Sequence, residues 1–376
     1  MAKLSWKMAF VLPNLQIGEN WAGDEMGARA LCLGVDGIAV VRGDDERVLK
    51  LRATSPGAEV LMGSFRSEHG EPYLPSALII RSDLEAAINR NVAAIIDFRN
   101  AVAMAFILPA RARLLKNSGW PTISWAEFFD FHPTTVARND SLYTFTPAYK
   151  AYLIPQENFQ AMPSTAVNVS TQLGSYDPFL VEHVGTLWRE RYVKPGRDSL
   201  QSRLAFRSLE AAVHGASMAQ RNAGSLNEYG MQVSLWVTAL EVLARTPGER
   251  SSQKKVLNLL DAYPCEDRRL RHRRYRLRFR DRNSRVRFEP GTVTQKLCNS
   301  LYEARHRFVH GDHVGIRELV PRIGSTRIST PRAAALVYRA ALVARLSERF
   351  GRRPWSMDPD DFQENRAMQE YESALT

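Results

Sequence analysis

Two histidines and an arginine lie within one short run, at Arg305, His306 and His310, and Gly311 follows at once. An imidazole titrates near neutrality, so it is suited to moving protons under physiological conditions. A guanidinium stays ionised and offers a planar fork of donors to carboxylate or phosphate oxygens. Together they could hold an anion and move a proton at one place. A zinc reading competes, because His306, His310 and His313 have a spacing that helical zinc ligands use. Against it, Arg305 and Arg307 flank the first ligand and would repel a dication. Arg307 also stands where the zincin motif has glutamate, and the three histidines would straddle the helix end at Gly311. No metal and no cofactor is expected.

The elements that position these groups can be read from periodicity. On a helix over 294–310, Leu297, Leu301, Ala304 and Phe308 form one apolar stripe that must face a core. Arg305 lies at the edge of that stripe. Asn299, His306 and His310 fall on a separate arc and are expected to face away from the core. Gly311 suits a C-terminal cap. Upstream, Ser234, Thr238, Glu241 and Arg245 make a narrow polar stripe. Glu241 is then either an ordinary i, i+4 partner of Arg245 or a partner for Arg305 from a neighbouring helix.

The run Leu301, Tyr302, Glu303, Ala304, Arg305, His306, Arg307, Phe308, Val309, His310, Gly311 resembles the signature of the HEPN superfamily: an arginine, a polar residue, a short spacer and a histidine. The tyrosine three before the arginine and the Val309, His310, Gly311 ending are similar to its Apea-like branch. The stretch 235–243, with its Leu240, Glu241 pair, resembles that branch's first core helix, and 331–350 stands in the place of the closing helix. The resemblance covers about the C-terminal half and implies an all-α bundle that dimerises with two motifs facing each other. Active relatives cleave RNA without metal: the 2′-hydroxyl attacks the adjacent phosphorus and leaves a 2′,3′-cyclic phosphate. In such chemistry His310 would move a proton and Arg305 would hold the phosphorane charge. His306 would orient the phosphate or share the proton transfer, and Glu241 would position Arg305. Other relatives bind nucleotides or RNA without cutting, or use the motif to stabilise the dimer. Two expectations follow. One is a metal-independent endoribonuclease in a bacterial defence or toxin–antitoxin setting; the other is a non-catalytic nucleic-acid-binding or assembly subunit.

The net charge is +11, and it is concentrated. Residues 268–287 hold eleven arginines and one acid, Asp281, which leaves the rest of the chain near neutral. Such a patch points to a polyanion, nucleic acid before membrane. Arg274, Arg276, Arg278 and Arg280 alternate with Tyr275, Leu277 and Phe279, and period two means a strand. Asp281 to Ser284 supply turn residues, and Arg285, Val286, Arg287, Phe288 alternate again. The basic insertion 266–290 therefore reads as a β-hairpin with one apolar face that packs and one arginine face. Arg271, Arg273, Arg274, Arg276, Arg278, Arg280, Arg285 and Arg287, with Asn299, are the candidate nucleic-acid-binding residues. A solvated charge run, an acidic protein partner, or the tail carboxylates Asp358, Asp360, Asp361 and Glu364 are the competing readings.

The remaining sequence indicates two domains and a tail in a chain of 376 residues, α+β overall. Residues 1–170 are a mixed α/β domain that senses, selects or assembles, and is a possible surface for a further protein partner. Strands are expected over 8–13 and 30–41, the second broken by Asp36-Gly37, and Ser82 with Glu85 opens a long helix that Pro109 should end or kink. Aromatics from Trp125 to Tyr152 read as core, and 154–170 as linker. The domain 171–350 has helices near 178–192, 199–222, 227–245, 252–262, 294–310 and 331–350. The tail 351–376 is acidic, with 357–376 read as a short helix or mobile. Three scattered cysteines, Cys32, Cys265 and Cys298, argue against disulfides and for a reducing cytoplasm. The most apolar window, 92–110, is interrupted by Asp97, Arg99 and Asn100. With no leader pattern visible, the expectation is a soluble protein with no membrane partner.

Overall fold

The computed structural model describes residues 5–16, 30–31, 37–67, 69–84, 92–116, 125–137, 139–144, 152–161, 167–168, 176–194, 198–218, 226–263, 265–280, 286–314, 319–320, 322–323, 326–351, 368–369 and 371–375. The chain mixes helices with small sheets, α+β overall. It divides into two compact units: 1–99 with 126–175, and 100–125 with 176–376. The first unit takes in the stretch 154–170 read from sequence as a linker, and the second takes in 100–125.

In the first unit, β1 (Trp6–Leu12), β2 (Leu15–Gln16), β3 (Ala30–Leu31), β4 (Ile38–Val41) and β5 (Ser76–Arg81) are the early strands. Four of them form a sheet in the order β1-β5-β4-β3, antiparallel throughout. Gly37 turns the chain into β4 at φ +111, a conformation that only glycine adopts cheaply. Every residue of β4 is buried, so it reads as a continuous apolar run rather than an alternating one. Helices α1 (Glu46–Thr54) and α2 (Pro56–Gly63) meet at Ser55, whose hydroxyl accepts from the Ala58 amide and caps α2. β6 (Thr134–Val136), β7 (Leu142–Thr144) and β8 (Tyr152–Ile154) form a second antiparallel sheet, and β9 (Val167–Asn168) pairs with β2. Of the aromatics expected in the core, Phe128 and Phe129 are buried and Tyr152 is exposed; Phe145 and Tyr149 lie outside the described residues.

Helix α3 (Val92–Lys116) runs through Pro109 without ending there. Proline lacks the N–H that would bond the Ala105 carbonyl. That carbonyl instead accepts from the Asp177 amide at 2.8 Å, so the lost helical bond is replaced. By length and composition 92–115 would suffice to cross a membrane, yet 78% of its apolar window is buried inside the protein.

The second unit continues with α4 (Pro178–Tyr192), α5 (Leu200–Ser217), α6 (Leu226–Leu243), α7 (Gln253–Asp261), α8 (Arg268–His272), strands β10 (Tyr275–Arg280) and β11 (Val286–Gly291), α9 (Val293–His310), β12 (Arg322–Ile323), β13 (Thr326–Arg327) and α10 (Thr330–Phe350). Four of these helices begin at a side-chain cap: Asp177, Ser199, Ser252 and Thr292 each accept a backbone N–H of the first turn. Helix α10 is buried nearly all round, with Ala333, Ala334, Ala335, Ala340, Ala341 and Ala344 allowing close approach, and it packs on α4, α5, α6, α7 and α9. Inside this unit Arg339 and Asp177, each 1% exposed, form an ion pair, with Arg339 Nε donating to Asp177 Oδ2 at 2.8 Å.

The described end of the chain does not behave as a detached tail. Met368, Tyr371, Glu372 and Leu375 are buried in the second unit. The Tyr371 hydroxyl donates to the Leu336 carbonyl at 2.8 Å, and the Glu372 carboxylate accepts the Glu266 and Asp267 amides, both at 2.8 Å. Those amides lie at the root of the basic segment. The tail carboxylates weighed as its partners, Asp358, Asp360, Asp361 and Glu364, are outside the described residues.

Candidate nucleic-acid site

Helix α9 is fixed at both ends. Thr292 and Gln295 form a reciprocal capping box, and Gly311 closes the helix in the left-handed conformation at φ +73, as the sequence indicated. Leu297, Leu301 and Ala304 are buried as the stripe requires. Phe308 packs so closely on α6 that a Cβ on Gly230 would come within 2.6 Å of its ring. This contact sets the position of the last turn, which carries His306 and His310.

Arg305 reaches across to α6. Its Nη1 donates to Glu241 Oε1 at 3.1 Å, and the Tyr302 hydroxyl donates to the same oxygen at 3.2 Å. Burial and the nearby Cys298 and Glu241 push the Tyr302 phenol well up, so it remains a donor. Of the two partners open for Glu241, the structure uses Arg305. His306 and His310 are exposed, with ring centroids 4.3 Å apart. Five residues of helix turn Arg305 about 140° away from His310. The guanidinium and that imidazole of one chain therefore do not point at a single spot. His306, His310 and His313 are not arranged to hold a metal ion among the described residues.

A cavity of about 480 Å³ opens beside His306. Tyr302, Glu303, Arg307, Asp312 and His313 line it from the α9 side; Arg278 and Phe279 line it from β10. Arg305 and His310 do not line it. His313, weighed from sequence only as a zinc ligand, thus shares a concavity with His306.

Asn299 corrects a sequence expectation. It does not sit with the histidines on an outward arc but is 1% exposed, under β10. Its Oδ1 accepts the Arg278 amide at 2.9 Å and its Nδ2 donates to the Arg278 carbonyl at 2.8 Å. A buried amide side chain with both ends engaged by backbone clamps the strand, and its hydrogen-bonding groups are already taken where it meets the cavity.

The hairpin requires a second correction. β10 and β11 pair antiparallel with Arg276 opposite Pro290, Arg278 opposite Phe288 and Arg280 opposite Val286; Tyr275, Leu277 and Phe279 face Gly291, Glu289 and Arg287. Opposed residues project to the same face. The second strand is therefore reversed relative to the expected segregation: Phe288 and Val286 join the arginines, and Arg287 joins the Leu277 face. Five residues, 281–285, separate the strands. A connector one residue shorter would instead stack Arg278 on Arg287, and like charges directly opposed repel. Leu277 is buried and occupies the space that a Cβ on Gly291 would need.

The other candidate arginines divide by role. Arg271 is tied to the Cys265 carbonyl and Arg274 donates to the Arg271 carbonyl at 2.7 Å, so both brace the root of the hairpin while remaining exposed. Arg273 lies over the Tyr275 ring at 5.4 Å and Arg276 over the Phe288 ring at 4.2 Å. Of Arg280 only the strand position is described, and Arg285 lies outside the described residues. Among the described residues, Arg273, Arg276 and Arg278 have no carboxylate partner within ion-pair distance. Sequence reasoning missed Phe288, because register depends on connector length, which composition does not reveal.

No family model, no curated protein and no solved structure matches this chain.

Proposed function

We propose that this protein is a metal-independent endoribonuclease of the HEPN type, with the arginine hairpin inserted into its helical bundle. The observation that supports the reading is a cavity in which His306 of α9 meets Arg278 and Phe279 of the hairpin, although Arg305 and His310 of the same chain lie outside its lining. Cations that hold a sugar–phosphate chain would thereby lie beside imidazoles that can move protons. The 2′-hydroxyl would attack the adjacent phosphorus, its proton passing to an imidazole. The 5′-oxygen would leave, taking a proton, and a 2′,3′-cyclic phosphate would remain. His310 serves as the proton-moving group, His306 orients the phosphate or shares that transfer, Arg305 stabilises the phosphorane oxygens and Glu241 positions Arg305. Because Arg305 and His310 of one chain diverge by about 140° around the helix, the active form is a homodimer in which motifs of two copies share a groove. The first unit acts as sensor, specificity or assembly domain and contacts any further protein partner. The setting is cytoplasmic, in bacterial defence or a toxin–antitoxin pair.

Purified full-length protein should cleave single-stranded RNA in EDTA and leave cyclic-phosphate ends. Arg305→Ala and His310→Ala should each abolish cleavage with the fold intact; activity persisting in both ends this reading. A second reading is favoured by the ion pair itself: Arg305 already satisfies Glu241, as a structural arginine would. In that case the protein binds nucleic acid without cutting it. Charge reversal at Arg274, Arg276 and Arg278 would then remove binding, His310→Ala would leave it intact, and no product would appear.

A further inference from the structure

We propose that the outer face of the β10–β11 hairpin is a stacking platform for unpaired bases, with Phe288 as its centre. The inference deepens the nucleic-acid reading above and adds a selection that reading lacks: single strand over duplex.

Phe288 is 52% exposed and Val286 42% exposed, though each lies in a strand whose other face carries the buried Gly291. The Arg276 guanidinium lies over Phe288 at 4.2 Å, and Arg278 is directly opposite it. The Arg278 amide and carbonyl both face Asn299, so Arg278 and Phe288 form a non-hydrogen-bonded pair, the closer of the two kinds of cross-strand neighbour. A cation therefore holds the ring in place from one side and a second cation flanks it.

The chemistry of this face selects its occupant. Guanidinium groups without carboxylate partners call for phosphates. An exposed aromatic ring among them calls for a flat π-surface at nucleotide spacing. A duplex offers the phosphates but keeps its bases stacked on each other, so the ring gains nothing from it. An unpaired strand offers both. An acidic polypeptide would satisfy the arginines and leave the ring idle. An anionic lipid surface would accept ring and arginines alike. However, Arg278 also lines the cavity beside His306, so a bound chain can continue from the platform into that cavity. A bilayer cannot enter a concavity of that size.

The test uses binding, so it does not depend on cleavage. Fluorescein-labelled single-stranded DNA of about 12 nucleotides, a length one such module spans, lacks the 2′-hydroxyl and cannot be cut by the proposed reaction. Anisotropy titrations of the full chain compare it with its duplex across a salt series. The single strand should bind about tenfold more tightly. Phe288→Ala should weaken single-strand binding by about tenfold, within the range for loss of one stacked base, and leave duplex binding and the salt slope unchanged. Phe288→Trp should restore it. Arg276→Gln should instead lower the salt slope by about one contact. Equal affinity for strand and duplex, or an unchanged affinity in Phe288→Ala, overturns the platform. So does retention on phosphatidylglycerol vesicles or polyglutamate with no binding to the oligonucleotide. Absence of RNA cleavage alongside a Phe288-dependent preference for single strands would reject the nuclease and keep the platform.

Discussion

Replacing Asn299 with leucine should detach the hairpin without unfolding the helical unit. The side chain supplies both partners of the Arg278 backbone, at 2.9 and 2.8 Å. Leucine is of similar size and leaves that N–H and C=O facing methyl groups. Each abandoned group costs about 1–3 kcal/mol when water cannot reach it. The cavity of about 480 Å³ reaches both Asn299 and Arg278 and admits water, so the combined loss should fall near the low end, about 2–4 kcal/mol. The docking it opposes is of the same size: burial of Leu277 contributes about 1.5–3 kcal/mol, and an isolated two-stranded hairpin is marginal in water. Native-state hydrogen exchange at the β10 and β11 amides is the assay. Protection there should fall by roughly 30- to 1000-fold, following from the loss of 2–4 kcal/mol, while α10 amides keep theirs. Single-strand affinity should fall too, although no charge has been removed. If hairpin amides remain protected to within about threefold, the clamp is not what holds the arm and the reasoning fails.

Other outcomes follow from the same structure. Glu241→Gln removes a half-exposed ion pair worth about 1 kcal/mol, so melting should drop by only a few degrees, whereas cleavage should fall about 100-fold if the pair aims Arg305; an unchanged rate would show that it does not. Asp177→Asn leaves Arg339 buried without its counter-charge and should cost about 3–5 kcal/mol. In a unit of roughly 230 residues that lowers the melting temperature by roughly 10 °C; calorimetry showing less than about 2 °C would mean the interior tolerates the lone cation. Burial also pushes the phenols of Tyr263, Tyr302, Tyr338 and Tyr371 up. Above pH about 10 the unfolded chain releases these protons and the folded one retains them, so each should reduce stability by about 1.4 kcal/mol per pH unit. Denaturant titrations from pH 9 to 11 would read this, and a flat profile would contradict it.

Much of the helical unit was legible because its signals are local. The apolar stripe of Leu297, Leu301 and Ala304 announces a helix by its spacing, and Gly311 announces its end. The Arg305–Glu241 contact was one of two geometries that spacing left open. What escaped depended on partners distant in the chain. Pro109 lies within a helix because Asp177, far downstream, takes over the orphaned carbonyl. Asn299 looked outward on a helical wheel, and only the docking of β10 made it interior. Phe288 changed faces because pairing parity is set by a connector whose residues carry no marker of their length. The burial of Glu372 could not be anticipated, since its partners are backbone amides, and amides are the same at every position.

The clasp between Glu372 and the amides of Glu266 and Asp267 joins points 106 and 105 residues apart. Contacts of such separation close late, because the intervening chain must first surrender its freedom. The hairpin can zip from its own turn early, but its foothold is completed only after the helices between have assembled. A nascent chain therefore meets one foothold of its most cationic segment early, the Asn299 clamp 21 residues away, and gains the other, Glu372, only late.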